Sequence, residues 1–196
     1  MPRFSDIEKE RIKQKLLTEG ERLFTAHGLK KVTIDDLVAA ANIAKASFYK
    51  FYDGKEYLYL DIVQTAQADI FASLEKVLDE NKAYSAGERV KQVFVKMYEL
   101  MLKYPILSQI NAVNIEMISR KVSEQRFAEF TAQNVDAVNV LVRHGIPFVY
   151  DTKTVSAVFG ALYGAWISLQ DEGDGRKKQV IDIMLNGIIE QMVVSK

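Results

Sequence analysis

Residues Thr33–Leu58, TIDDLVAAANIAKASFYKFYDGKEYL, decide how the rest of the chain is read. Thr33 with Asp36 three residues later is a capping-box variant, in which the hydroxyl takes a backbone N–H and the carboxylate reaches back to the cap. Asp35 and Asp36 also place negative charge at the positive end of the helix dipole. Ile34, Leu37, Val38 and Ala41 follow at helical spacing. Asn42-Ile43-Ala44 is too short for an independent loop, and asparagine tolerates the left-handed conformation that so tight a break requires. The second helix, Lys45 to Phe51, offers Lys45, Ser47, Tyr49 and Lys50 within two turns, anchored by Phe48 and by Phe51 or Tyr52. This is the geometry of a helix-turn-helix whose second helix enters a DNA major groove. Two ordinary amphipathic helices with a solvated basic face fit the segment equally well. The flanking chain has to decide.

The 196 residues are 48% apolar and 27% charged, globular values that allow a real core in one compact domain or two small ones. There is no cysteine, so disulfides, thiolate metal sites and cysteine nucleophiles are excluded. No apolar run approaches the roughly 18 residues of a membrane span, and MPRFSDIEKER is no signal peptide, so a cytoplasmic protein without a membrane partner is expected. The formal net charge is zero, yet residues 1–55 hold 11 Lys and Arg against 8 Asp and Glu, and residues 56–196 hold 15 against 18. The asymmetry is modest and has the sign that nucleic acid at the N-terminal end would need.

Outward from the opening stretch, the pattern is helical throughout. Ser5 and Glu8 form a capping box that opens a first helix, and Gly28 is placed as its C-terminal cap. His27 has no second ligand at metal-binding spacing, so it reads as a histidine complementing the helix dipole, as does His144. A long helix over about 54–81 keeps its apolar period throughout; at about 1.5 Å per residue it reaches roughly 40 Å and ties the first module to the second. Further helices are predicted over about 87–103, 106–117, 121–144, 152–171 and 176–194, with Pro105 ending one, Asp151 capping another and a turn at 171–175. Gly160 and Gly164 lie four apart inside a helix, where each costs about 1 kcal/mol, and this suggests close approach by another helix. The last two helices carry more apolar surface than one chain can bury, which implies a partner subunit. No strand pattern occurs. The chain reads as all-α with about nine helices.

The first 58 residues resemble the TetR family of bacterial transcriptional regulators. The resemblance rests on Leu23-Phe24, Gly28, Thr33, Ile34, Leu37, Ala41, Ile43, Ser47, Phe48-Tyr49, Phe51-Tyr52, Lys55-Glu56 and Leu58, all in register. Asn42 stands where the family usually has glycine, Ala44 where it has a capping serine, and Ala46 where it has another glycine. The family implies a helix-turn-helix DNA-binding domain over 1–55 and a ligand-binding and dimerisation domain over 56–196. It implies a homodimer, formed through helices about 152–171 and 176–194, that binds a palindromic double-stranded operator as a repressor and is released by a small lipophilic molecule. By position, Thr33, Ser47, Tyr49, Phe51 and Lys55 match phosphate or groove-wall contacts. Lys45 and Lys50 are the candidates for reading bases, since lysine donates to guanine O6 and N7, and a phosphate contact is the alternative role for Lys50. Arg3 is placed to reach an adjacent minor groove.

The ligand pocket that the family implies would draw on Phe71, Phe94, Met97, Tyr98, Met101, Met117, Phe127, Phe130, Phe159, Tyr163 and Trp166, which as single residues also read as core. Asn111, Asn114 and Glu116 are the polar groups nearby. Glu116 would suit a lipophilic cation, with acyl and neutral aromatic ligands equally open. Catalysis needs paired carboxylates or a histidine with an orienting partner. Here the carboxylates fall at caps and on solvated faces and both histidines end helices, so no enzymatic activity, cofactor or metal is expected. The competing reading is an all-α dimeric binding protein without DNA function, supported by the departures at Ala44 and Ala46.

Overall fold

The computed structural model describes residues 5–132, 137–169 and 174–194, without the side chains of 132, 167 and 174. Ten α-helices and one 3-10 turn make up the described chain, and no strand occurs in it beyond an isolated bridge between Phe148 and Val193. The helices are α1 Asp6–Lys31, α2 Ile34–Ala41, α3 Lys45–Phe48, α4 Lys55–Glu80 and α5 Ala86–Lys103, then, after the 3-10 turn Pro105–Gln109, α6 Ala112–Ser119, α7 Glu124–Ala132, α8 Ala137–Arg143, α9 Thr152–Ser168 and α10 Asp174–Met192. None of them is long and apolar enough to cross a membrane. Arg3 and residues 171–173 of the expected turn lie outside the described residues.

The polypeptide forms two compact units: one from the described residues up to Ala68 with those from Lys103 to 132, the other from Asp69–Leu102 with those from 137 onward. In the first unit Phe24, Leu29, Leu37, Phe48, Leu58, Tyr59 and Ile106 are fully or almost fully buried. Phe24 and Tyr59 meet edge to face at 5.5 Å, the arrangement their ring quadrupoles favour. Gly20 lets α1 and α4 close on each other: a Cβ there would stand 3.0 Å from Ile62 Cδ1 and 3.1 Å from Leu58 Cδ2. In the second unit Phe94, Leu162, Ile181 and Leu185 form one cluster, and Val138, Val155 and Met192 form another.

Most helix starts follow the capping chemistry of the sequence. Both halves of the box are made at Ser5–Glu8 and at Thr33–Asp36, and Asp151 Oδ1 accepts from Thr154 N at 2.9 Å. Several expectations are corrected. Gly28 does not simply end α1: it kinks the helix with φ 80 and ψ 153, and residues 29–31 continue helically beyond it. The expected 106–117 helix is a 3-10 turn followed by α6, because Pro105 starts the turn and Asn111 caps afresh, its Oδ1 accepting from Asn114 N at 3.0 Å. The expected 121–144 helix begins only at Glu124, where Ser123 Oγ accepts from Arg126 N, and is described as α7 and α8 on either side of 133–136. A Cβ added at Gly160 or Gly164 would meet no other part of the described chain within 4 Å, whereas one at Gly87 would lie 2.8 Å from Ile189 Cγ2.

His144 does more than complement a dipole. Its Nε2 pairs with Glu75 Oε2, Arg143 Nη2 donates to Glu75 Oε1 at 2.9 Å, and Arg89 Nη2 donates to the His144 carbonyl at 3.2 Å. The His144 hydrogen bond, reinforced by Arg143, holds the Glu75 carboxyl below its ordinary value of 4.5. Folding therefore favours the charged form. The stabilisation is complete above that ordinary value and is lost as pH falls through the depressed one. Glu75→Gln should destabilise the protein by about 0.5–1 kcal/mol at neutral pH, a figure kept small by solvent screening of a partly exposed pair. Denaturant titrations of both proteins as a function of pH should show the difference closing in acid.

Candidate nucleic-acid interface and apolar cavity

The helix-turn-helix is built from the inside outward. Leu37, Val38 and Ala41 of α2 are buried, and the helix ends in a Schellman arrangement. Asn42 adopts φ 54, ψ 53, its N–H bonds Ala39 O, and the Ile43 N–H reaches back to Val38 O at 3.0 Å. The turn therefore needs an αL residue, which Asn42 supplies where glycine is usual. α3 is shorter than the expected Lys45–Phe51 helix. Ala44 offers no side-chain cap, and after Phe48 the chain runs on in turns, with Phe51 N donating to Phe48 O at 2.9 Å. Phe48 and Tyr52 point into the core and Phe51 packs half-buried against it, so burying aromatics outweighs continuing a helix of low propensity.

Outside this base lie the groups expected to meet DNA. Lys45, Tyr49 and Lys50 are exposed, and Ser47 is half-buried between them. Tyr49 is held by an edge-to-face contact with Phe48, centroids 5.6 Å apart. Thr33 is exposed but occupied: its hydroxyl donates to Asp36 Oδ2 at 2.7 Å and accepts from Asp36 N. Lys45 is ion-paired with Asp35 at 2.8 Å. Lys55 is half-buried, and its Nζ donates to the carbonyls of Val32 at 2.6 Å, Leu29 at 2.8 Å and Lys30 at 3.3 Å. Sequence reasoning missed this role, and it missed Gln109, whose Nε2 donates to Phe24 O at 2.7 Å and Thr25 O at 3.1 Å. The available signal was Gly28: a helix broken there leaves carbonyls that must find donors.

The second unit contains an apolar cavity of about 260 Å³, lined by Val90, Val93, Phe94, Met97, Tyr98 and Met101 of α5, Ala137, Val138 and Leu141 of α8, and Ser156, Phe159, Gly160 and Tyr163 of α9. Six of the expected ligand residues, Phe94, Met97, Tyr98, Met101, Phe159 and Tyr163, come together here. Trp166 stacks behind the wall on Tyr98, centroids 3.6 Å apart, and Lys177 Nζ lies 5.6 Å from both rings. Phe71 is half-buried on α4 and is not among the lining residues. Phe127, Phe130 and Met117 belong to the core of the first unit, and Glu116 is exposed there in an ion pair with Arg120. No charged side chain is among the described lining residues, and burial pushes the Tyr163 phenol above its ordinary pKa, keeping it a neutral donor. A separate apolar hollow on the outer side of α9 and α10 joins Tyr150, Val158, Ile183, Met184, Ile188 and Met192.

The Lys55 geometry generates a direct measurement. Lys55→Met keeps the aliphatic stem and removes the donor from three carbonyls, and it should destabilise the protein by about 1–3 kcal/mol in equilibrium unfolding. A lysine that served only to contact phosphate would change stability by no more than about 0.5 kcal/mol.

Comparison with known proteins agrees with this geometry. Residues 16–62 match the family model described as bacterial regulatory proteins, tetR family. The nucleoid occlusion factor SlmA of Pasteurella multocida is 22% identical over 154 residues, 76% of each chain. The negative transcriptional regulator IcaR of the biofilm operon icaADBC in Staphylococcus epidermidis is 38% identical over 93 residues, covering 47% of this chain and 49% of that protein. Among solved structures, the fatty acid degradation regulator FadR of Bacillus halodurans superposes with a TM-score of 0.67 at 13% identity, covering 96% of each chain. The ketosteroid transcriptional regulator KstR2 of Mycobacterium tuberculosis gives 0.62 at 19% identity, covering 94% of this chain and 95% of that one. The helix-turn-helix segment, residues 16–62, is thus that of the tetR family of bacterial regulatory proteins, and the fold along nearly the whole chain is the one that solved TetR-family regulators share.

Proposed function

We propose that the protein is a homodimeric, ligand-responsive repressor that reads a palindromic operator with residues 1–55 and binds a small apolar molecule within residues 56–196. The observation that carries the DNA side is the outward face of the helix-turn-helix, where Lys45, Tyr49 and Lys50 are exposed over the buried Phe48 anchor. Ser47 and Tyr49 hold the backbone, Lys45 and Lys50 read bases, Thr33 acts through the capping box that starts α2, and Phe51 supports the helix from its half-buried place against the core. Lys55 acts here chiefly by fixing the end of α1 against the reading head. The names of two relatives, the repressor DhaR and the negative regulator IcaR, favour repression.

The cavity in α5, α8 and α9 is the ligand site in this reading. It is slightly below the roughly 300–1,000 Å³ of sites for drug-sized ligands, so its ligand is small. An ion entering it would lose hydration with no opposite charge among the described lining residues, which costs several kcal/mol, so the ligand is uncharged. Tyr98 and Tyr163 supply the hydrogen bonds that orient it. The lipophilic cation suggested by Glu116 finds no support, because that carboxylate pairs with Arg120 in the other unit.

The dimer surface is the apolar hollow of α9 and α10, where Ile183 is 65% exposed and Tyr150 51% exposed. Paired there, two heads can enter successive major grooves about 34–36 Å apart. Ligand acts by binding one head spacing better than another, and shifts the equilibrium only by that difference in affinity.

Footprinting on the DNA upstream of the protein's own gene tests the operator reading. Tyr49→Ala should reduce affinity roughly tenfold or more while leaving the dimer intact in sedimentation. Ile183→Asp should give monomers and lose operator binding with the fold retained. A protein that dimerises but binds this DNA no better than random duplex would instead be the binding protein without DNA function.

A further inference from the structure

Lys45, the first residue of α3, does not meet solvent alone. Its ammonium lies 2.8 Å from Oδ1 and 3.0 Å from Oδ2 of Asp35, in the first turn of α2. The two side chains are 52% and 71% exposed, so the pair is held in the layer of solvent that a bound duplex would replace. Asp35 also holds the Lys45 ammonium above its ordinary pKa, through the hydrogen bond first and the charge second.

We infer that Asp35 is a specificity-determining residue: it occupies Lys45 on DNA of arbitrary sequence and releases it only where guanine acceptors take its place. The inference rests on the reading that Lys45 meets DNA. Non-specific affinity arises when lysines and arginines displace counterions from phosphates. A lysine that carries its own carboxylate to the duplex brings no net charge, and it displaces little. Guanine O6 and N7, fixed side by side in the major groove, are a better competitor for the ammonium than a single mobile phosphate. An exposed ion pair is weak and screened by salt, which makes it breakable by the right base. Because a dimer carries two heads, the small penalty acts twice. Discrimination then comes from a cost against wrong sequences as much as from a gain on the right one. The alternative role of Asp35, a first-turn acid favouring the dipole of α2, affects stability and leaves the salt dependence of DNA binding untouched.

The test is a double-mutant cycle read by anisotropy on a labelled duplex of random sequence over a range of KCl concentrations. Asp35→Asn should tighten binding roughly tenfold at low salt and steepen the slope of log affinity against log salt by about two per dimer. In a Lys45→Gln background the same substitution should change affinity less than about twofold and leave the slope unaltered, because a lone exposed carboxylate is screened. Asp35→Glu, which still reaches Lys45, should keep the wild-type slope. Equal tightening by Asp35→Asn in both backgrounds would overturn the inference and reduce Asp35 to a general repulsive charge. If Lys45→Gln leaves affinity for the footprinted operator unchanged, Lys45 does not meet DNA, and the reading beneath the inference fails with it.

Discussion

The interaction on which the reading head depends is the pairing of the carbonyls at the end of α1. Gly28, at φ 80, turns the chain out of the helix and leaves the last oxygens without intrahelical donors. Two long polar side chains from later in the sequence supply them: Lys55 from the first turn of α4 and Gln109 from the 3-10 turn. Each buried carbonyl left unpaired costs about 1–3 kcal/mol, so these contacts are worth a sizeable part of a domain's net stability. They also fix geometry. With the carbonyls of Leu29, Lys30 and Val32 gathered on one ammonium, Thr33 is held where its capping box can start α2, and the orientation of α2 sets that of α3.

The same constraint explains why a recognition helix of only four residues is sufficient. α3 lacks a capping side chain at Ala44 and ends where Phe48, Phe51 and Tyr52 turn inward. Isolated, so short a helix would not form, since nucleation costs more than one turn returns. Here it is held by Phe48, which is completely buried, and by the αL turn at Asn42 before it. Packing stabilises what local propensity does not. The exposed face is thereby free to carry Lys45, Ser47, Tyr49 and Lys50, none of which the core needs.

How much of this was legible follows from the range of each interaction. Contacts between neighbours in sequence could be read: the Ser5–Glu8 and Thr33–Asp36 boxes, the αL residue Asn42 and the Asp151 cap depend on three or four adjacent residues. The all-α class followed from apolar spacing, and the family from residues in register. Contacts between residues far apart could not be read. Nothing in the local sequence marks Lys55 as a partner of Leu29, or His144 as a partner of Glu75, 69 residues away. The residues expected to line a ligand pocket divide the same way. Phe94, Met97, Tyr98 and Met101 lie on one face of α5 and share a cavity, whereas Phe127 and Phe130 have the same composition and helical spacing but pack in the core of the other unit. Aromatic density shows that a side chain will be buried, and only the fold shows against what.

The glycines of α9 differ in what surrounds them. A helical glycine costs about 1 kcal/mol relative to alanine, so Gly160 and Gly164 need a compensating role. Neither has a neighbour within 4 Å of its absent Cβ, which removes close packing inside the described chain as that role. Gly160 lines the cavity, where any side chain would take up part of its volume. Gly164 is one turn further on and is not a lining residue, so the same explanation does not extend to it. Gly164 is exposed, and in the dimer proposed above it would be open to close approach by the partner's backbone. On the proposed function, this one helix would carry both the volume that admits a ligand and part of the contact that pairs the subunits, which would let occupancy of the first alter the second.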